Sequence, residues 1–476
     1  MELKRDLSYF DLTNIVVGAI VGSDIYIASA ITAGLIGPFS IIIWLVAGAF
    51  ATVLAMIFAY SAYYVPKVGG SFAFVSTAFD DFYGFIAGWS MWIAEVLSLP
   101  VFAITFTNYL QYFIPLNFPE QVIIKAAFLF GLTAVNIFGV KAAGRVNDVL
   151  TVLKLLPLLL LVIVGLASII YNPAFFANYN PIAPLGLGNF GTALVLIFWA
   201  YVGFELGTLP AAEVKDPKKN IPRAIMTGMA IVIFFYLTTN FVIFGTVSSP
   251  RLAQTVIPLV LVGTALLGTT GAVIISAGAL VSVSGSDESG ILGTARLAYA
   301  MSIDGLFPRA FSKVHPKFKT PYVALIFQGI IALILSLFSG LGQLISFSVF
   351  NLAFSFLLVS GSLVVLRKSS EKGLPGQRVL PWLGAGICVY LLYSTSPIDK
   401  IAGTIVILAG IPLYIYFSPK TDIHDLKQLF TSEEAILTRN LQRKNRFLAN
   451  LVRLTALSYK RLRQKSRRRS QQTNTK

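Results

Sequence analysis

Six ionisable residues stand inside stretches that are otherwise apolar: Asp24 in VVGAIVGSDIYIASA, Glu95 in GWSMWIAEVLSLP, Lys154 in VLTVLKLLPLLLL, Glu205 in FWAYVGFELGTLP, and Asp287 with Glu288 in SVSGSDESG. Carboxylates and an ammonium can carry protons or bind cations and amines. In hydrocarbon each costs about 2.5–3.5 kcal/mol at the centre of a helix, so each needs a partner, a proton or water. Hydrolytic and group-transfer chemistry finds no comparable set. The two histidines, His315 and His424, and the single Cys388 are far apart in the sequence. There is no zinc spacing, P-loop or Ser/His/Asp set, no nucleotide domain and no cofactor motif. The residues point away from an enzyme and towards a pathway for ions and small molecules.

The elements that must hold these groups are membrane helices. Of 476 residues, 56% are hydrophobic and 12% charged, with a mean hydropathy of +0.77, far from the soluble average of about 25% charged. Apolar runs of about 20 residues, the length that spans a bilayer, fall at about 10–35, 39–64, 82–114, 121–140, 149–171, 188–212, 224–247, 268–301, 322–339, 343–366, 379–396 and 400–418. The reading is an all-α polytopic membrane protein of twelve transmembrane helices, with the eighth expected to be interrupted at SVSGSDESG. All the Lys and Arg except Lys125, Arg251 and Lys400 fall on one side of this topology, which places both termini in the cytoplasm. The start, MELKRDLSYFDL, lacks a signal-peptide cleavage site, so the first helix should be retained.

The net charge of +16 is concentrated at the end. Residues 420–476 carry 15 Lys and Arg and close on KRLRQKSRRRSQQTNTK. This segment reads as a solvated cytoplasmic tail that reinforces topology, or as one drawn to anionic lipid. Within it, Ile436, Leu437, Leu441, Leu448, Leu451 and Leu454 have roughly helical spacing. A tail tethered to a membrane domain does not suggest nucleic-acid binding.

The polar interruptions are not evenly scattered. The first segment carries Gly18, Gly22, Ser23 and Asp24, and the sixth carries Gly203, Glu205, Gly207 and Pro210. Segments one and six hold the same place in two blocks of five helices. Broken helices at matched positions of two repeats mark midplane binding sites in transporters, where exposed N–H groups attract anions and exposed carbonyls attract cations. An odd number of helices per block makes the repeats inverted. The expected organisation is a cytoplasmic N-terminus (1–9), a first repeat (10–171), a second repeat (172–366), two additional helices (367–418) and the basic tail (419–476).

Several separated stretches resemble the amino acid, polyamine and organocation transporter superfamily: IVGSDIYI; VPKVGGSFAFVSTAF followed by GFIAGW; FWAYVGFELGTLPAAEVKDPKKNIPRAI; and ARLAYAMSIDGLFP. The resemblance runs from about residue 6 to 418. It implies a five-plus-five inverted-repeat core, with discontinuous helices 1 and 6, that works by alternating access. In members that carry amino acids the first-helix motif holds the substrate carboxylate and the sixth helix its amine. Carried over, Val21, Gly22 and Ser23 would face the carboxylate, and Phe198, Ala200 and Tyr201 the amine and side chain, with Phe198 and Tyr201 as movable walls.

Asp24 stands where the family usually has glycine. It caps the restarted half-helix, contacts the amine of a cationic substrate, or titrates during transport. Lys154 either snorkels to the inner headgroups or, as the resemblance implies, stands where sodium-coupled relatives bind their cation. There Ser282 and Ser286 would meet it from the eighth helix, and Asp287 would supply a sodium ligand or pair with Lys154. Glu95 lines the cavity or fixes packing, Glu205 sits in the sixth-helix break, and Glu213 belongs to inner-gate ion pairs. The expected function is a secondary active amino acid transporter in the cell membrane, coupled to protons or alternatively sodium. Its rivals are a polyamine or organic-cation carrier and a membrane-embedded amino acid sensor.

Overall fold

Continuous apolar sequence interrupted by glycine and acidic residues folds into helices wherever backbone groups can be satisfied within the segment, the only open arrangement hydrocarbon tolerates. A computed structural model describes residues 7–67, 69–138, 140–179, 187–208, 214–369 and 374–417. Glu213, Pro210, His424 and the basic tail lie outside these described residues. Residues through Tyr414 form one compact unit, and a second begins at Ile415.

In chain order the helices are α1 (Tyr9–Ile20), α2 (Ser23–Ile36), α3 (Ser40–Tyr64), α4 (Ser71–Ala78), α5 (Asp81–Leu110), α6 (Phe118–Phe138), α7 (Val140–Ser168) and α8 (Ala174–Ala177). They continue with α9 (Phe190–Trp199), α10 (Pro217–Thr246), α11 (Ser249–Ala253), α12 (Pro258–Ile303), α13 (Tyr322–Phe338), α14 (Leu341–Leu366), α15 (Leu380–Ser394) and α16 (Pro397–Phe417). Eight helical stretches among the described residues are long and apolar enough to cross a membrane, the first being Tyr9–Tyr64, and three shorter apolar helices accompany them. The chain is an all-helical polytopic membrane protein.

Local signals set several ends. Ser8 and Asp11 form a reciprocal capping box at the start of α1, and Asp80 accepts the Tyr83 N–H at the start of α5. Two expected boundaries move. The fifth segment starts earlier, as α7 at Val140. The eighth is not interrupted at SVSGSDESG. Instead α12 turns at Gly268 (φ 64°) and then runs on as helix through the whole motif. Its serines do not break the helix, because Ser284 and Ser289 bond the carbonyls of Leu280 and Gly285 one turn back.

The helices sort by enclosure. The apolar stretch of α5 is 89% buried, against 28% for α6 and 22% for α16. The α5 helix is therefore the axis, packed by α4, α12, α13 and α14, while α6 and α16 turn large apolar side chains such as Ile123, Ile401 and Ile405 outward. Lipid gives no hydrophobic drive between helices, so close seams need small residues. At the α7–α12 seam a Cβ on Gly278 would lie 2.3 Å from Pro157. The α1–α2 and α9 segments are held against this axis, and that is where regular helix fails.

Candidate functional site

The first break follows α1. Val21 leaves helical geometry (φ −71°, ψ 104°) and Gly22 is more distorted still (φ −147°, ψ −136°) before α2 starts at Ser23. Gly22 is required by a close approach, since a Cβ there would lie 2.7 Å from the Ser286 side chain on α12. Its N–H donates to Asp24 Oδ1 at 2.7 Å, so the Gly18 carbonyl loses its partner one turn back. Lys154 Nζ, from α7, donates to that carbonyl and to Ser286 Oγ. Ser286 in turn donates to the Val21 carbonyl at 2.6 Å. A buried ammonium thus caps the negative end of the half-helix α1, where the helix dipole favours a cation. Lys154 is fully buried, and its stem does not snorkel.

Asp24 is almost fully buried. Its Oδ1 takes the Gly22 N–H and its Oδ2 accepts the Tyr236 hydroxyl of α10. The side chain folds back on the residue that caps α2, as an acid in a capping box does. Both oxygens are engaged by the protein.

The second break follows α9. The chain turns through Ala200, Tyr201 and Val202, and Gly203 adopts φ 122°, a region closed to residues with a side chain. Its N–H donates to both oxygens of Glu205, at 3.1 and 3.0 Å, and the chain continues as a short 3-10 helix, Phe204–Thr208. A Cβ on Gly203 would be 3.0 Å from the Ala19 carbonyl carbon. The two breaks therefore lie directly against each other.

Between them and α5 lies a cavity of about 40 Å³. Its polar lining is Asp24, Glu95, Ser98, Glu205 and Ser286, and its aromatic wall is Phe102 and Trp199, whose ring centres are 5.9 Å apart. Trp199 Nε1 donates to Ser98 Oγ at 3.1 Å. Of the residues singled out in the sequence, Asp24, Glu95, Gly203, Glu205 and Ser286 come together here, with Gly22 and Lys154 behind Ser286.

Others are placed elsewhere. Phe198 and Tyr201 are buried but do not line the cavity, and the Tyr201 hydroxyl donates to the Trp44 carbonyl at 3.0 Å. A helix turns about 100° per residue, so the neighbouring Trp199 takes the inward position. Val21, Ser23 and Ala200 are buried beside the breaks without lining the cavity. Ser282 is buried one turn from Ser286, and its hydroxyl is not among the partners of Lys154. Asp287 is buried with both oxygens unpartnered. The acidic charges acting on Lys154 are Asp24 and Glu288, so the expected pairing of Asp287 with Lys154 is not formed. One position along the helix separates Asp287 from the face Ser286 turns to α1. Tyr236, Phe102 and Trp199 escaped the sequence reading, because aromatic residues in apolar helices carry no positional signal.

Residues 7–419 match the family described as amino acid permease. The chain belongs to the amino acid permease family. It is similar to the branched-chain amino acid permease BcaP of Bacillus subtilis, 30% identical over 442 residues that cover 88% of this chain and 94% of the relative. The methylthioribose transporter of the same bacterium is 28% identical over 445 residues, with the same coverage of 88% and 94%. The large neutral amino acids transporter small subunit 2 of Homo sapiens is 30% identical over 438 residues, covering 87% of this chain and 80% of the relative. This permease is therefore a multi-pass membrane transporter and not an enzyme.

Proposed function

We propose that this permease is a secondary active carrier of neutral amino acids that works by alternating access and is coupled to protons. The observation that carries the reading is the meeting of two broken helices on one small cavity. At about 40 Å³ that cavity is far below the roughly 300–1,000 Å³ of ordinary ligand pockets. Admitting an amino acid requires the lining helices to part, which is the motion alternating access supplies.

The N-terminal N–H groups of α2 and the unpartnered Ser23 hydroxyl are the donors for a substrate carboxylate. The carbonyls of Ala200 and Tyr201, at the open end of α9, are the acceptors for its amine. The Phe198 carbonyl already takes the Tyr201 N–H at 3.0 Å, so Phe102 and Trp199 replace Phe198 and Tyr201 as the apolar walls. Lys154 stands in for a bound cation at the end of α1, with Ser286 as its second ligand. The substrates printed in the names of two relatives, branched-chain and large neutral amino acids, agree with an uncharged side chain.

The proposed frame is twelve crossings: the eight long stretches, with Tyr9–Tyr64 crossing twice, and the three shorter apolar helices. A five-plus-five inverted repeat over 10–171 and 172–366 is supported by the matching Gly-x-acid fold-back in both breaks. Both termini are placed inside, in the cell membrane, by the distribution of Lys and Arg.

A second reading, an organic-cation carrier, is favoured by the three carboxyl groups around one cavity. Uptake into proteoliposomes separates the two readings, using labelled amino acids and polyamines under imposed proton or sodium gradients. Proton-driven accumulation of neutral amino acids is the expected result, with Asp24→Asn keeping their affinity. Uptake of cationic amines alone, lost in Asp24→Asn, overturns it.

A further inference from the structure

Glu95 and Glu205 come from different elements, α5 and the turn beyond α9, and both line the same two small cavities, close enough to interact. Glu95 is 8% exposed and Glu205 2%, and Glu95 Oε1 has no hydrogen-bond partner among the described residues. Two carboxylates this close and away from water cannot both stay ionised and take up one proton between them. Glu205 already receives the Gly203 N–H on both oxygens, an arrangement suited to the anion. The proton therefore belongs on Glu95, directed at Glu205.

The pair also occupies a distinctive place. Beyond it lies a second cavity of about 10 Å³, reached by Gly70 and Ser71 at the start of α4 and by Gly293 and Leu297 of α12. Among the described residues, Glu95, Glu205 and Leu206 alone line both this cavity and the central one. The two acids are thus the polar part of the septum between the cavities. Among the described residues, Asp24 is the one other ionisable side chain lining either cavity, and its oxygens are taken by Gly22 and Tyr236. The surrounding elements add Tyr26 on α2, Lys154 on α7, Tyr236 on α10, and Asp287, Glu288 and Arg296 on α12, while α4 and α14 bring no ionisable group. Lys154 is held on the far side of the first break, on Gly18 and Ser286.

We propose that Glu95 and Glu205 hold a single proton between them and form an exchangeable proton site of transport, at the septum and separate from Lys154. Loss of the proton leaves two like charges close together and drives the septum apart. Its return closes the septum. The proposal rests on the proton-coupled reading above.

Infrared difference spectroscopy of purified protein in lipid nanodiscs, native minus Glu95→Gln across a pH series, tests the shared proton without any substrate. The expected difference is a protonated-carboxyl band at neutral pH that converts to carboxylate as pH rises. Two ionised carboxylates at neutral pH overturn the proposal. Glu205→Gln is the second variant, and it should remove the carboxylate signal and, with the neighbouring negative charge gone, let Glu95 ionise at lower pH than in the native protein. In proteoliposomes Glu95→Gln should lose accumulation driven by a pH gradient, read as the ratio of gradient-driven uptake to its own substrate counterflow. Retained gradient-driven accumulation overturns the transport role. If native protein shows no proton-driven uptake, proton coupling itself fails, and the infrared result still decides whether the pair shares a proton.

Discussion

The two breaks use one device and brace it differently. In each, an acid two residues beyond a glycine folds back to accept that glycine's N–H: Asp24 on Gly22, and Glu205 on Gly203. The first break is then tied by side chains from three other helices, Lys154 of α7, Tyr236 of α10 and Ser286 of α12. The second is held by the backbone of α1 against Gly203, by its own Tyr201 on the Trp44 carbonyl of α3, and by one further acid, Glu95. A carboxylate is thus used once as a fixed staple and once beside a group able to change its charge. The comparison implies that damage to the first break should appear mainly as lost stability, and damage to the acids of the second mainly as lost coupling.

The largest effect is expected where the two breaks touch. Gly203→Val places a branched side chain at φ 122° and against the Ala19 backbone, combining strain of about 1–3 kcal/mol with overpacking of about 1–3 kcal/mol. Little folded protein should survive, as read by monodispersity in detergent. Next comes Lys154→Met, which leaves the buried Gly18 carbonyl with only the Ser286 hydroxyl, shared with Val21, at a cost of about 1–3 kcal/mol, and should lower the thermal midpoint even in the absence of substrate. A midpoint equal to that of native protein would mean that the first break is not braced as described.

Tyr236→Phe follows. It removes a hydroxyl bonded to Asp24, and about 1.5 kcal/mol of stability should go with it. The sharpest comparison is the smallest in energy. Asp24→Asn and Glu205→Gln each keep one acceptor oxygen for the glycine N–H, so the fold-back survives and each should cost about 1 kcal/mol. Uptake should nevertheless diverge, with Asp24→Asn keeping gradient-driven accumulation and Glu205→Gln losing it. Equal behaviour of the two variants would erase the distinction between the breaks.

Much of this site was legible in the sequence for a physical reason. Glycine and an acid inside an apolar run are costly to place, so Gly22 with Asp24 and Gly203 with Glu205 announced themselves. The helices followed from the same contrast between apolar runs and their interruptions. Partnerships were harder to read. Nothing about Tyr236 in an apolar helix signals that it meets Asp24, 212 residues away in the chain. The choice of Trp199 over Phe198 as the inward aromatic depends on one residue of helix rotation. SVSGSDESG looked like an interruption by composition, but serines that bond their own helix carbonyls let α12 continue.

The ammonium at the end of α1 has a consequence for life in a changing medium. A carbonyl satisfied by a dissolved ion is satisfied only as often as that ion is captured, and dilution empties it. Lys154 is tethered by its own chain, so its effective concentration at Gly18 is set by covalent reach and not by the surroundings. That corner of the bundle should therefore assemble equally well in fresh water and in brine.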